Sequence, residues 1–310
     1  MLFEHEPVLL EQVLALLDPK PGGIYCDATL GGGGHAEKVL EASAPDGRLI
    51  GLDRDLDAIA AATEKLARFG DRVSIFHGCF SDLDKLLKKA NVDALDGLLV
   101  DFGVSSYQLD TAERGFSFMR AGPLDMRMDA TQEETASTLL ARLGETELAD
   151  IIYRFGGERL SRPIARSIKE MERQGGLETT ADLAVAIRRV VGGRTSGGID
   201  PSTRTFQAIR IAVNNELEEI ERLLDILPEP LAIGGRVVII SFHSLEDRMV
   251  KQRFKQWVEP CVCPPGMPVC HCPKPVAEYV TRRAVRVSGK TRPENPRARS
   301  ARVRAVRRIR

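Results

Sequence analysis

Tyr25-Cys26-Asp27-Ala28-Thr29-Leu30-Gly31-Gly32-Gly33-Gly34-His35 is the stretch whose reading decides the fold. An apolar run over residues 23–28 gives way to four consecutive glycines, and a helix-like run over 35–42 follows. Glycines at such a turn let the backbone approach a ligand closely, because they carry no Cβ and accept positive φ. The helix start behind them offers N–H groups with no intrahelical partner. Asp53 closes the next strand-like run, 48–52. It stands about twenty residues past the turn, where a carboxylate commonly accepts hydrogen bonds from ribose hydroxyls.

Outward from this stretch, strand-like and helical patterns alternate. Run 48–52 leads to an alanine-rich helix over 56–69, the β-branched run 73–77 to a helix over 82–90, and 95–100 is a fourth apolar run. Such alternation argues a parallel sheet with helices on both faces. It stops after Gly115-Phe116-Ser117-Phe118-Met119, where about seventy residues carry almost no strand signal. Thr131 with Glu134 reads as a capping box opening the first helix of this block. Gly144, Gly156-Gly157, Gly175-Gly176 and Gly192-Gly193 punctuate the later helices, and a glycine-rich loop, 192–198, closes it. The α/β pattern then resumes with a helix over 205–227, a strand over 236–241, a helix from Leu245, and strand-like runs at 278–281 and 301–306. The expected organisation is a discontinuous α/β domain, 1–113 and 205–310, with an all-helical insert at 114–204.

A chain of 310 residues with 43% hydrophobic content suits a main domain plus a smaller one. No stretch approaches the roughly 18 uninterrupted apolar residues of a membrane span. The segment Met1-Leu2-Phe3-Glu4-His5-Glu6 carries acids and no basic cluster, unlike a signal peptide. Of six cysteines, Cys26 and Cys79 stand alone in apolar segments and the other four crowd between 261 and 272, a distribution that suits a reducing cytoplasm. The net charge of zero hides an asymmetry: from Arg282 to Arg310 twelve Lys or Arg face one acid, Glu294. A basic terminus on an otherwise acidic chain can meet a polyanion, or it can be a solvated strand.

Two cofactor classes compete for the glycine turn. A nicotinamide fingerprint wants a third glycine where this chain has Ala36, a replacement that a relaxed version tolerates. Asp27, ahead of the glycines, fits S-adenosylmethionine better, since a carboxylate there can engage its amino acid end. A nicotinamide-dependent oxidoreductase would also need a hydride-transfer site, which the sequence does not offer. An RNA-binding factor with a vestigial nucleoside pocket is the non-enzymatic alternative. Intact Asp53, Asp101 and Gln108 argue against such decay.

The chain resembles the bacterial RsmH (MraW) family, which methylates the exocyclic N4 of a cytidine in small-subunit rRNA. The resemblance rests on His5-Glu6-Pro7-Val8-Leu9-Leu10, on the stretch from Asp27 to His35, and on Asp101-Phe102-Gly103-Val104-Ser105-Ser106-Tyr107-Gln108-Leu109-Asp110. It continues in Glu113-Arg114-Gly115-Phe116-Ser117-Phe118, Pro123-Leu124-Asp125-Met126-Arg127-Met128-Asp129 and Thr203-Arg204-Thr205-Phe206-Gln207-Ala208. Ser241-Phe242-His243-Ser244-Leu245-Glu246-Asp247-Arg248 and Asn295-Pro296-Arg297-Ala298-Arg299-Ser300 complete it. It implies a Rossmann-like class I methyltransferase sheet with S-adenosyl-L-methionine as cofactor. It further implies 16S rRNA or the small ribosomal subunit as partner, and a helical insert that helps to hold RNA. Carried over by position, Gly33, Gly34 and His35 touch the cofactor, Asp53 holds its ribose, Phe80 packs on the adenine, and Asp101 and Gln108 complete the pocket.

Cytosine N4 has its lone pair delocalised into the ring, so transfer to it needs an acceptor for its proton and an in-line approach. Asp101, at a strand end, is the expected catalytic residue; its alternative is a carboxylate capping the next turn. Transfer to C5 would instead need a covalent cysteine. Cys79 is the one candidate near the pocket and reads better as a small packed residue. His243 could be a base or a hydrogen-bonded structural histidine. Arg162, Arg166, Lys169 and Arg173 fall on one helical face, which could track phosphates or simply be solvated. Cys261-Val262-Cys263 and Cys270-His271-Cys272 pair two C-x-C units, tighter than the usual zinc knuckle. Reduced thiols or a labile disulfide are therefore read ahead of a metal, and no metal ligand is assigned.

Overall fold

The computed structural model describes residues 7–192, 200–264, 269, 271–286 and 299–310. His5 and Glu6, most of the glycine-rich loop 192–198, Cys270, and 295–298 of the last matched segment lie outside the described residues. The chain packs as two compact units, Met1–Gly103 with Leu217–Arg310, and Val104–Glu216.

The first unit runs α1 (Leu10–Leu17), β1 (Ile24–Asp27), α2 (Gly34–Ala42), β2 (Arg48–Asp53), α3 (Leu56–Leu66), β3 (Val73–His77), α4 (Leu83–Lys89) and β4 (Leu95–Asp101). The second unit holds α5 (Ser106–Asp110), α6 (Ala136–Arg142), α7 (Glu145–Gly156), α8 (Ser161–Arg173), α9 (Thr180–Val191) and α10 (Ser202–Val213). The chain then returns as α11 (Glu216–Ile226), β5 (Leu231–Ser241), α12 (Ser244–Val258), β6 (Ala277–Tyr279) and β7 (Arg302–Arg308).

Among the described residues seven strands form one sheet in the order β3-β2-β1-β4-β5-β7-β6. The first five are parallel, and β7 runs antiparallel to both β5 and β6. This is a doubly wound, Rossmann-like sheet, as the resemblance implies. Parallel strands buried on both faces read as continuous apolar runs whose side chains alternate between the faces. Leu98, Val100, Val237 and Ile239 pack on one face with Leu83 and Leu87 of α4, Ile220 and Leu223 of α11, and Phe254 of α12. Leu99, Val238 and Ile240 pack on the other with Val13 of α1, Val39 and Leu40 of α2, and Leu66 of α3. The N-terminal helix α1 is an element that the strand–helix reading did not anticipate.

The helical unit has a core of its own, in which Leu139, Leu140, Leu148, Ile152, Ile164, Ile168, Leu183, Ile187, Phe206 and Ile209 are buried together. Three local expectations change there. The capping box that opens its first long helix is Thr135 with Thr138, not Thr131 with Glu134. Thr131 instead hydrogen-bonds Asp129 at 2.6 Å, and Glu134 pairs with Arg142 at 2.7 Å. The helix expected over 205–227 is two helices broken at Asn214-Asn215, with Asn215 at φ 49°. Buried Asn214 causes the break: its side chain accepts from the Met128 N–H at 2.7 Å and donates to the Met126 carbonyl at 2.7 Å. Finally, the units part at 103/104 and 216/217, whereas the sequence reading put the junctions at 113/114 and 204/205. Phe206, Ile209 and Val213 of α10 belong to the helical core, and Val104 and Leu109 pack against it.

Candidate active site

Three aspartates end three neighbouring strands. In the parallel register Asp27 lies opposite Gly51 of β2 and Leu99 of β4, so Asp53 and Asp101 each stand two residues further on, on either side of the turn that leaves β1. Strand order reverses at β1, which is where open α/β sheets leave a crevice beyond their carboxyl ends. The turn is held from both flanks: the Ala28 N–H donates to the Leu99 carbonyl at 2.9 Å, and the Leu30 N–H to the Leu52 carbonyl at 2.8 Å. Gly31 and Gly33 have φ of 51° and 77°, the left-handed region that a side chain resists. A Cβ on Gly34 would stand 2.6 Å from Pro7 Cγ, and one on Gly31 would meet nothing within 4 Å. The backbone therefore borders open space at Gly31 and is packed hard behind it.

The carboxylates organise this turn. Asp53 accepts from the Gly31 N–H at 2.7 Å and the Asp55 N–H at 2.8 Å. Burial raises its carboxyl above the usual range, and those two donors pull against the rise. Asp27 is 2% exposed and accepts from the Thr29 N–H at 3.2 Å. Burial raises its carboxyl to about 7, opposed by the Thr29 N–H and reinforced by the charge of Asp53. The Thr29 hydroxyl accepts from the Asp101 N–H at 2.6 Å, tying the end of β4 to the glycine turn.

The other expected residues are more deeply engaged in structure. His35, the second residue of α2, is buried, and its Nε2–H donates to the Val8 carbonyl at 3.0 Å. Phe80, just past β3, is buried with its ring 5.6 Å from that of Phe102. Gln108 belongs to the helical unit, where it closes a capping box with Ser105. Its Oε1 accepts from the Ser105 N–H at 3.0 Å, and its own N–H donates to the Ser105 hydroxyl at 3.1 Å.

Glu219, on α11, is a residue the sequence reading missed. It accepts from the Cys79 thiol at 3.0 Å and from the Ser81 hydroxyl. Burial raises the Cys79 thiol, and its bond to Glu219 adds to the rise. Cys79 is therefore a protonated hydrogen-bond donor, the opposite of an activated nucleophile. His243 proves to be the N-cap of α12, in a capping box with buried Glu246. No local signal could have found Glu219, which lies 140 residues from Cys79.

The cation stripe of the helical unit is only partly open. Arg162 and Arg166 are exposed, and Arg166 pairs loosely with Glu145 at 3.3 Å. Lys169 turns inward, donating to the Leu140 carbonyl at 2.8 Å and pairing with Glu172. Three cations of β7 are also engaged: Arg302 and Arg304 pair with Asp247 of α12 at 2.8 Å and 2.7 Å, and Arg307 donates to Glu278 at 2.6 Å. Among the described residues no helix is long and apolar enough to cross a membrane.

Known proteins share this sequence along its length. It is 50% identical over 309 residues to ribosomal RNA small subunit methyltransferase H of Symbiobacterium thermophilum, covering 99% of this chain and 97% of the relative. The protein of that name in Syntrophotalea carbinolica is 48% identical over 310 residues, covering 99% of each chain. That of Anaeromyxobacter sp. (strain K) is 51% identical over 315 residues, again covering 99% of each. The matched lengths span the sheet with its glycine turn and the helical unit alike. Residues 2–309 match the MraW methylase family as a whole, and the chain belongs to that family.

Proposed function

We infer that this enzyme methylates the exocyclic N4 of a cytidine in 16S rRNA of the small ribosomal subunit, acting in the cytoplasm. The observation that carries this reading is the level placement of Asp53 and Asp101 on either side of an open glycine turn. The donor set suits S-adenosylmethionine, which has a ribose diol and two cationic centres. Gly31 leaves room for close approach, and the neighbouring carboxylates of Asp27 and Asp53 favour positive charge. When bound, that cofactor supplies an electrophilic methyl group.

In this reading Gly33, Gly34 and His35 form the floor under its amino acid end, with Asp27 as counter-ion. Asp53 accepts from the ribose hydroxyls while its bonds to Gly31 and Asp55 keep it oriented. Phe80, braced by Phe102, flanks the base. Asp101 accepts a hydrogen bond from the cytosine amino group, which turns the nitrogen lone pair and takes up the proton as the new bond forms. The bond from its N–H to Thr29 fixes the backbone from which that carboxylate projects. The protonated state of Cys79 favours direct transfer over a covalent route through C5. The helical insert would hold RNA through Arg162 and Arg166.

Mass spectrometry of rRNA nucleosides from cells with and without the enzyme tests the reading, and N4-methylated cytidine that depends on the enzyme is expected. Asp101→Ala should lose most turnover at saturating S-adenosylmethionine, whereas Cys79→Ala should keep it. Full turnover of the Asp101 variant would reduce that residue to cofactor binding. A C5-methylated product, or a protein–RNA adduct lost with Cys79, would overturn the mechanism, as tight binding of a nicotinamide dinucleotide would overturn the cofactor.

A further inference from the structure

The segment 259–275, of which 259–264, 269 and 271–275 are described, joins α12 to β6, and at its base the Val276 N–H donates to the Trp257 carbonyl at 2.9 Å. Its two described valines lie open, Val262 at 87% exposed and Val269 at 58% exposed. What converges in it is sulfur. The Sγ atoms of Cys261, Cys263 and Cys272 all lie within 4.8 Å of one another, and none of the three is in a disulfide. Cys263 and Cys272, which come from opposite limbs of the loop, have their sulfurs 3.5 Å apart. Thiolates about 2.3 Å from a tetrahedral zinc ion stand about 3.8 Å from each other, so the spacing suits one shared ion. The Val262 N–H also points at Cys272 Sγ at 3.5 Å, the kind of backbone donor that disperses charge on a metal-bound thiolate.

We propose that Cys261, Cys263 and Cys272 bind a zinc ion that staples the connection between α12 and β6, a site separate from methyl transfer. The C-x-C spacing argues against a metal because each unit alone turns two sulfurs toward one ion too tightly. The fold brings Cys272 of the second unit to Cys261 and Cys263 of the first, so the ion closes a ring through both limbs. Zinc(II) has no geometric preference from its d electrons and tolerates a tight ligand pair, and its borderline softness suits thiolate. As each sulfur bonds the ion its thiol proton passes to solvent, with no electron transferred. Among the described residues these three sulfurs are the ligands, and the fourth coordination position is open to water or a further side chain. Cross-linking the two limbs removes loop entropy from the connection, and it holds the edge strand β6 against β7.

The test uses the full chain, reduced and stripped with a chelator, then titrated with cobalt(II) followed by zinc(II). A near-ultraviolet thiolate-to-cobalt band and visible tetrahedral bands should saturate at roughly one cobalt per chain and vanish as zinc displaces it. Protein purified without chelator should carry zinc by elemental analysis. The combined variant Cys261→Ser, Cys263→Ser and Cys272→Ser should give neither signal while binding S-adenosylmethionine as the parent does. Cobalt that keeps its octahedral aqueous spectrum with the intact chain would overturn the proposal whether or not the variant folds. A Cys263–Cys272 disulfide in zinc-free protein, purified without reductant, would overturn it in favour of a redox link.

Discussion

At Asp27, burial and the neighbouring charge of Asp53 hold the carboxyl near 7, against an ordinary value of 3.8. A carboxyl raised on folding contributes stability that is fully present below its unfolded value and is lost as pH rises through its folded value. Wild-type stability should therefore decline between about pH 4 and pH 7 by on the order of a few kcal/mol relative to Asp27→Asn, as urea titrations at several pH values would show. A cationic ligand at this site favours the ionised form. Binding of S-adenosylmethionine just below neutrality should then release protons, and calorimetry in buffers of differing ionisation enthalpy should find that release missing in Asp27→Asn. Equal proton release from both proteins would remove Asp27 from the site. At Asp53 the carboxylate serves the turn as well as the ligand, so Asp53→Ala should weaken the cofactor by about 1.5–3 kcal/mol. Wild-type affinity in that variant would take Asp53 out of the pocket.

Among elements, α8 and β7 show how differently equal cations are used. The side chains of Ile164, Ala165, Ile168 and Met171 bury one face of α8, leaving Arg162 and Arg166 outside it. Reversing both to Glu should weaken RNA binding and lower the slope of log affinity against log salt by roughly 0.7 per lost phosphate contact, with cofactor affinity unchanged. An unaltered salt slope would mean a merely solvated face. Lys169→Glu should instead destabilise the helical unit, because it breaks the inward bond to the Leu140 carbonyl. On β7, Arg302 and Arg304 converge on Asp247, whose carboxyl is depressed because the two guanidiniums outweigh its burial. Asp247→Ala leaves two half-buried cations without their counter-ion and should cost about 3 kcal/mol in denaturant unfolding. The sign of its pH dependence is opposite to that of Asp27. The stability Asp247 lends is present above the ordinary carboxylate value and is lost as pH falls through its depressed one.

The molecule as a whole is two compact units on one chain. Val104–Glu216 has a hydrophobic core of its own and ends on Glu216, whose carboxylate takes two hydrogen bonds from Arg210 at 2.8 Å and 2.9 Å. Produced alone, this segment should keep its helical circular dichroism and unfold cooperatively; a non-cooperative, melted fragment would show that its core depends on the rest of the chain.

Much of this was open to reading because it depends on neighbours in the chain. The run 73–77 is a strand in the structure with the bounds its β-branched pattern implies. The glycine turn and Asp53 stand at the carboxyl ends of β1 and β2 because a two-residue side-chain period and positive φ at glycine are local properties. Gly157 and Gly192 end helices for the same local reason. Tertiary structure alone decided the features whose partners are remote. Asn214 breaks a helix that propensity would continue, because backbone groups of Met126 and Met128 lie where its amide can satisfy them. Cys79 meets Glu219, Lys169 turns to Leu140, and Cys263 meets Cys272 across a loop. Periodicity specifies which face of an element is buried. It carries no information about which polar group stands opposite, because that is settled only when distant elements pack and each buried donor must find its acceptor.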